Sequence, residues 1–491
     1  MIIQFQPSFR PALPEVFGAK DYRQFRETLV EMDRILASTG LEDRLINDRI
    51  NTLGIEDMSA KRQQFHWRST RLALRYSILR SLTQESFRDL SCRVADSQSF
   101  QWFTHTSFVE GIKPVSKSSA ERFEKYFTAE QIGDLVHTLN KTVADKQQAQ
   151  ELLYAETELR FDQVFADTSC VKADIHFPID WLLLRDGSRT LIKAIILIRE
   201  KGLKHRIGSP DKLMREVNKL CIEMTHARKK PDSKKVRKAV FRQLKEQVRV
   251  IERHGQRYLE LLENRWEQTD WTELEKNVVT KRMRNVLEQL QQAVHQAHER
   301  IIGERRVASK DKILSLYEAD VEVLVRGKAG AEVEFGNALY LAEQDDGLIV
   351  DWELMKSNKT DSKLVKPSVD RISKNYGPIE RYCADRGFDS PGASEVLDAE
   401  NIINSICPRS VTKFGKQLQD PEFRADQQRR GATEARIAIF KNNYLGRPMR
   451  SKGFANRKTH VAWCVLAHNL WKLSCMAREN KERLEEQQKA A

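Results

Sequence analysis

Three carboxylates of the sequence are candidates for a shared catalytic site. Asp167 and Asp385 each follow a segment that reads as a β-strand, the second being the short apolar run at 379–384. Glu434 lies within a predicted helix at 422–442. Because strand ends meet at one edge of an α/β sheet, the two aspartates can come together there, and a packing helix can add the glutamate.

A cluster of this kind could perform metal-dependent phosphodiester chemistry. Carboxylates held close together raise one another's pKa, and hard cations such as Mg²⁺ or Mn²⁺ relieve the repulsion. Two metal ions, ~3.5–4 Å apart, activate an attacking water or 3′-hydroxyl and stabilise the leaving oxygen. The alternative is that each acid caps a turn or solvates a helix, as most such residues do.

The residues around the carboxylates resemble motifs of bacterial insertion-sequence transposases. The run DTSCVKA from Asp167 resembles their first-aspartate block, and CADRGFDS from Cys383 resembles their second. Arg430 and Lys441 stand four residues before and seven after Glu434, as in their Tyr-Arg-Glu-Lys signature. Gln427 occupies the tyrosine position, where this chain departs from the signature.

This resemblance implies a DDE-motif DNA transposase that uses Mg²⁺ or Mn²⁺. Asp167, Asp385 and Glu434 would be both catalytic residues and metal ligands. The candidate DNA-binding cations are Arg430, Lys441, Arg386 and Arg436. For the first two the alternative is ion pairing with Glu434, and for the last two it is surface solvation.

The implied reaction is DNA transposition, a form of DNA recombination. The enzyme would bind the terminal inverted repeats of an insertion sequence, cleave a phosphodiester at each end, and join the freed 3′-hydroxyls to target DNA. Paired ends imply a homo-oligomer, at least a dimer, in the active complex. Two alternatives stay open: a non-catalytic DNA-binding protein derived from a transposase, and a metal-dependent nuclease of the same fold.

The composition agrees with a polyanionic partner. Lys and Arg outnumber Asp and Glu by 83 to 70 in 491 residues, which gives a formal net charge of +13. The excess favours nucleic acid, although a basic protein without such a partner is also possible. The seven cysteines form no C-x-x-C pair, and no segment of the sequence resembles a signal peptide, a P-loop or a membrane-length apolar stretch. We therefore expect a cytoplasmic bacterial protein with no membrane partner, associated with the nucleoid when it acts.

Alternating apolar residues predict strands at 333–342 and 348–354 joined by a hairpin turn at 345–347, and a helix is predicted at about 365–376. Ser118 with Glu121 and Thr128 with Gln131 resemble capping boxes that open helices.

The predicted elements indicate an α/β fold with a mixed sheet, of the ribonuclease-H-like kind. An all-helical domain precedes it, and a charged, coiled-coil-like insertion of three helices interrupts it. A basic tip around residues 228–238 of this insertion is either solvated or a DNA contact. The predicted segments are 1–58 (N-terminal segment), 59–150 (helical domain for DNA ends or dimerisation), 160–203 (first catalytic part), 204–306 (insertion), 307–478 (second catalytic part) and 479–491 (charged tail).

Overall fold

A computed structural model describes residues 12–13, 15–54, 58–108, 111–227, 229, 231–308, 311–328, 331–357 and 359–490. The side chains of residues 326–332 lie outside this description, as do parts of the predicted N-terminal segment and Arg228 and Lys230 of the predicted basic tip. The chain divides into two compact units, one formed by Met1–Lys172 with Ala338–Ala491 and the other by Ala173–Asn337.

The first unit begins with a set of helices. In chain order its first elements are α1 (Lys20–Ser38), α2 (Leu41–Leu53), α3 (Ala60–Thr83), α4 (Phe87–Asp96), α5 (Gln98–Thr104), β1 (Ser107–Phe108), β2 (Gly111–Ile112), α6 (Lys117–Phe123), α7 (Ala129–Ala144), α8 (Lys146–Leu153) and β3 (Gln163–Lys172). Thr128 and Gln131 form the predicted capping box of α7. The predicted cap at Ser118 is wrong, because Ser116 accepts the hydrogen bond that caps α6.

The second unit is built around four helices. Its elements are α9 (Asp180–Glu200), α10 (Pro210–Ala227), α11 (Ser233–Arg265), α12 (Glu273–Ile301), β4 (Glu322–Lys328) and the start of β5 (Ala331–Glu343). The three predicted insertion helices are present as α10 to α12, and α9 shares their core through Trp181, Leu184 and Leu191. Packing is close at Gly187, where a Cβ would lie 2.8 Å from Leu316 Cδ1. The compact unit is therefore wider than the predicted insertion, because α9 buries its apolar face there.

The remaining elements return to the first unit. They are β6 (Ile349–Leu354), α13 (Val365–Tyr376), β7 (Arg381–Ala384), α14 (Pro391–Ala399), β8 (Ile403–Ile406), α15 (Val411–Gln417), α16 (Pro421–Phe440) and α17 (Phe454–Ala490). α17 is buried along Val461–Leu473 and packs against α1, α3, α7 and α8. The N-terminal helices and the C-terminal helix consequently belong to the same compact unit.

The sheet of the first unit is mixed, which confirms the predicted α/β class. Its strand order is β5-β3-β7-β8, with β6 paired to β5. The β3–β7 and β7–β8 pairs are parallel, whereas β5 and β6 form an antiparallel hairpin around the predicted turn at 345–347. At this turn Gly347 has a φ of 91°, which an L side chain adopts only with strain.

β3 is longer than the sequence predicts. Asp167 does not end this strand, because the pairing continues to Lys172. Cys170 and Val171, which follow Asp167, are both buried and extend the strand through the interior. Asp167 therefore lies in the middle of β3, whereas Asp385 does follow the last residue of β7.

The described helices include none that is both long and apolar enough to cross a membrane. The longest helix, α17, carries a charged C-terminal third that includes Lys481, Arg483 and Glu485.

Candidate active site

The predicted carboxylates Asp167 and Asp385 are neighbours across the sheet. In the parallel β3–β7 register Ala166 pairs with Ala384, so the two aspartates are the next residues on adjacent strands. Adjacent strands lie about 4.8 Å apart, which brings both side chains to the same edge. Backbone amides hold each one: Thr168 N–H donates to Asp167 Oδ1 at 2.7 Å, and Gly387 N–H donates to Asp385 Oδ1 at 2.8 Å.

The carboxyl group of Asp167 is largely buried and lies close to a second carboxylate. Burial and the adjacent charge of Asp385 raise the pKa of Asp167 to about 7. Glu434 also raises this pKa, while the Thr168 N–H and the charge of Arg430 lower it. Asp167 is therefore only partly ionised near neutral pH, and a cation beside it would favour the ionised form.

Glu434 stands beside the pair but is held by a cation. Its Oε1 accepts from Arg430 Nη1 at 2.8 Å, one helical turn away on α16, and its side chain is 58% exposed. Burial lowers the pKa of Arg430, but the bond to Glu434 and the charges of Glu434 and Asp167 raise it above its ordinary value. Arg430 Nε is buried and has no hydrogen-bond partner among the atoms that the structure describes. Arg430 thus interacts with both Glu434 and Asp167.

The three acids do not form a complete metal cage. Among the side chains that the structure describes, no group of three or more His, Cys, Asp or Glu residues has the arrangement of a metal site. Glu434 is instead ion-paired with Arg430 through its Oε1. The structure brings Asp167 and Asp385 together and leaves Glu434 within electrostatic range of Asp167.

The other face of α16 is fixed to the β5–β6 hairpin. The buried Glu343 at the end of β5 accepts from Arg429 at 3.1 Å, from Thr433 at 2.8 Å and from Arg436 at 3.2 Å. The Arg429 guanidinium also lies 4.5 Å from the ring centre of Phe165 on β3. Arg436, a predicted DNA-binding residue, is therefore engaged in holding α16. This anchoring sets the position of the neighbouring Glu434.

The predicted cation Lys441 is buried against β3, close to Asp167 in the chain's fold. It is 4% exposed, and its Nζ donates to Ser169 Oγ at 2.9 Å. Ser169 is two residues past Asp167 and on the same side of β3. Lys441 also begins the π-helical turn Lys441–Leu445 that ends α16, a deviation that is frequent at functional sites. In this structure the Lys441 side chain is buried against β3 and is not on the surface.

Two further sequence positions have defined contacts. Gln427, at the tyrosine position of the signature, donates from Nε2 to the Ser405 carbonyl at 2.8 Å and so faces the sheet. Arg386, a predicted DNA-binding residue, donates from Nε to Cys407 Sγ at 3.4 Å and lies 5.3 Å from the Phe414 ring centre. Arg386 is exposed at the same loop as Asp385.

Sequence reasoning missed Asp361 and Gly387. A Cβ built on Gly387 would lie 2.5 Å from Asp361 Oδ2 and 3.0 Å from Asp385 Oδ1. The carboxylate of Asp361, at the start of the 3₁₀ turn Asp361–Leu364, thus fills the space beside Gly387. Gly387 in the DRGFD motif was a signal that a close contact could occur at this position. Nothing in the sequence indicates that the contact is with Asp361, which lies 26 positions earlier.

No protein-family model, curated protein or solved structure matches this chain.

Proposed function

We propose that this protein is a DNA transposase of the DDE class. The observation that carries the proposal is the side-by-side placement of Asp167 and Asp385 on parallel strands, with Glu434 and Arg430 on the helix beside them. The motif resemblance around all three acids points to the same chemistry. In this proposal the substrates are the terminal inverted repeats of a mobile element and a target DNA, with at least a dimer in the active complex.

The carboxylate pair suits a hard divalent cation. Both side chains offer oxygen ligands, and a cation would remove the repulsion that raises the pKa of Asp167. Asp167 and Asp385 would hold Mg²⁺ or Mn²⁺, and Glu434 would join them on leaving Arg430. When bound, the metal supplies activation of a water or 3′-hydroxyl and stabilisation of the leaving oxygen.

The cations around the pair would act on the DNA phosphates. Arg430 is half-buried beside Asp167, and its Nη1 is bound to the 58% exposed Glu434, so release of Glu434 would free a guanidinium N–H for a phosphate at this edge. Arg386 is exposed in the Asp385 loop and can reach the flanking backbone. Lys441 would contribute positive charge to the site from its buried position next to Ser169 on β3.

The sheet topology supports a ribonuclease-H-like catalytic domain. A central strand, β3, has the antiparallel β5–β6 hairpin on one side and the parallel strands β7 and β8 on the other. This is the arrangement that the proposed fold requires, with α16 packed against β3, β7 and β8.

One observation favours a second candidate, a DNA-binding protein without catalytic activity. The ion pair between Arg430 and Glu434 leaves the third carboxylate occupied. If this ion pair persisted in the presence of metal and DNA, the protein would still bind DNA through its basic residues but would not cleave it.

The test is a cleavage and joining assay with the full-length chain. The substrate is a labelled duplex that carries the inverted repeat flanking the gene, with a supercoiled plasmid as target. We expect cleavage at the repeat boundary and joined products in Mg²⁺ or Mn²⁺, and neither in chelator. Cuts without joined products would indicate a nuclease, and binding without cuts in any metal would favour the non-catalytic protein.

A further inference from the structure

The long helix α11 in the second unit has a cationic face directed to solvent. Its buried residues, which include Phe241, Leu244, Val248 and Ile251, pack into the helical core. On the opposite side the exposed cations are Lys235, Arg242, Arg249, Arg253 and Arg257. They recur at intervals of seven, seven, four and four residues, a spacing that aligns side chains on one face of a helix.

The exposed cations of this face are mostly unpaired. Among the described residues, Arg249 makes only a long contact of 3.9 Å with Glu246, and Lys235, Arg242, Arg253 and Arg257 make no ion pair. Glu246 and Glu260 share the face, and Glu252 and Glu288 line the groove beside Arg249 and Arg253. Unpaired charges of one sign repel one another, which favours a polyanionic partner.

Several other cations of the same unit are paired. Lys234 and Lys238 both contact Glu304, at 3.0 Å and 2.8 Å, and Arg284 contacts Glu263 at 2.6 Å. The five cations of the α11 face therefore differ from these paired cations, because none of the five makes a close ion pair among the described residues.

The dimensions of the face fit a nucleic-acid duplex. From Lys235 to Arg257 the helix rises by about 33 Å. One turn of B-form DNA measures roughly 34 Å. We infer that this face of α11 binds the phosphate backbone of duplex DNA independently of base sequence. The inference rests on the proposed function only for the choice of DNA as the polyanion, since the charge pattern is independent of the carboxylate site.

The test compares two variants of the full-length chain with equal loss of charge. The first replaces Arg242, Arg249 and Arg253 by Gln. The control replaces Lys219, Lys281 and Arg282, which are exposed on α10 and α12 and make no ion pair among the described residues. Binding to a labelled duplex of arbitrary sequence is measured by fluorescence anisotropy over a salt series, in Ca²⁺ so that affinity is read without cleavage. Circular dichroism establishes that both variants retain the helical content of the parent.

We expect the α11 variant to bind at least about tenfold more weakly and to lose about 0.9 from the salt slope for each phosphate contact removed. The control variant should bind as the parent does. Equal weakening in both variants would overturn the inference, because net charge alone would then explain it. Unchanged duplex binding with lost binding to phosphatidylserine vesicles would also overturn it. Absence of cleavage by the parent protein would count against the proposed function and leave this comparison intact.

Discussion

The Asp385→Asn variant is expected to lose metal-dependent cleavage of a labelled element end by at least about 10³-fold, equivalent to ~4 kcal/mol of transition-state stabilisation. The amide keeps the shape of the side chain and its oxygen can still accept from Gly387 N–H, a bond of 2.8 Å in the parent. Only the negative charge next to Asp167 is removed. Because that charge raises the pKa of Asp167, its loss relieves repulsion and should not destabilise the fold.

The matched control is Asp398→Asn on α14, which removes one exposed carboxylate of the same unit. Single-turnover cleavage rates in Mg²⁺ are compared for the parent and both variants, and duplex binding is measured in Ca²⁺. The control should cleave and bind as the parent does. Full cleavage by Asp385→Asn would show that this carboxylate has no catalytic role.

The second large effect is expected from a single methyl group at Gly387. In Gly387→Ala the new Cβ would lie 2.5 Å from Asp361 Oδ2 and 3.0 Å from Asp385 Oδ1, so one or both carboxylates must move. Catalytic groups displaced by ~1 Å can lose about 10² in rate, and we expect a loss of that order. The overpacking should also lower the free energy of unfolding by about 1–3 kcal/mol.

Gly392→Ala separates this effect from a general response to alanine. Gly392 lies in α14, and no atom stands within 4 Å of a Cβ built there. The cleavage rates and the thermal unfolding midpoints of both glycine variants are measured against the parent. Gly392→Ala should retain full activity and stability. Equal rates for Gly387→Ala and the parent would mean that the Asp361–Gly387–Asp385 packing does not position the site.

The local pattern was sufficient to predict most elements of the sheet. Helix α13 begins and ends where the apolar spacing placed it, at Val365 and Tyr376, and the turn at Asp345–Gly347 joins the predicted hairpin. Alternation and turn residues act within a few positions of the chain, so a single sequence contains them. The predicted end of β3 was wrong. The residues that follow Asp167 in this strand include a continuous buried run and do not alternate between buried and exposed positions.

Local sequence patterns could not predict the long-range contacts that position the side chains of the site. Asp167 and Asp385 were predicted as neighbours because parallel strands share an edge, and the register agrees. The bond from Lys441 to Ser169 and the attachment of Arg436 to Glu343 join residues far apart in the chain. Motif spacing placed these cations near Glu434, but it did not distinguish a buried partner from a surface contact.

The central claim is that Asp167 and Asp385 together bind a catalytic divalent metal. The most direct measurement is calorimetric titration of Mn²⁺ into the full-length protein and into its Asp167→Asn, Asp385→Asn and Asp398→Asn variants. We predict that the parent and Asp398→Asn bind Mn²⁺ with equal affinity, and that each of the other two variants binds more than about tenfold more weakly. Equal Mn²⁺ binding by all four proteins would contradict the claim.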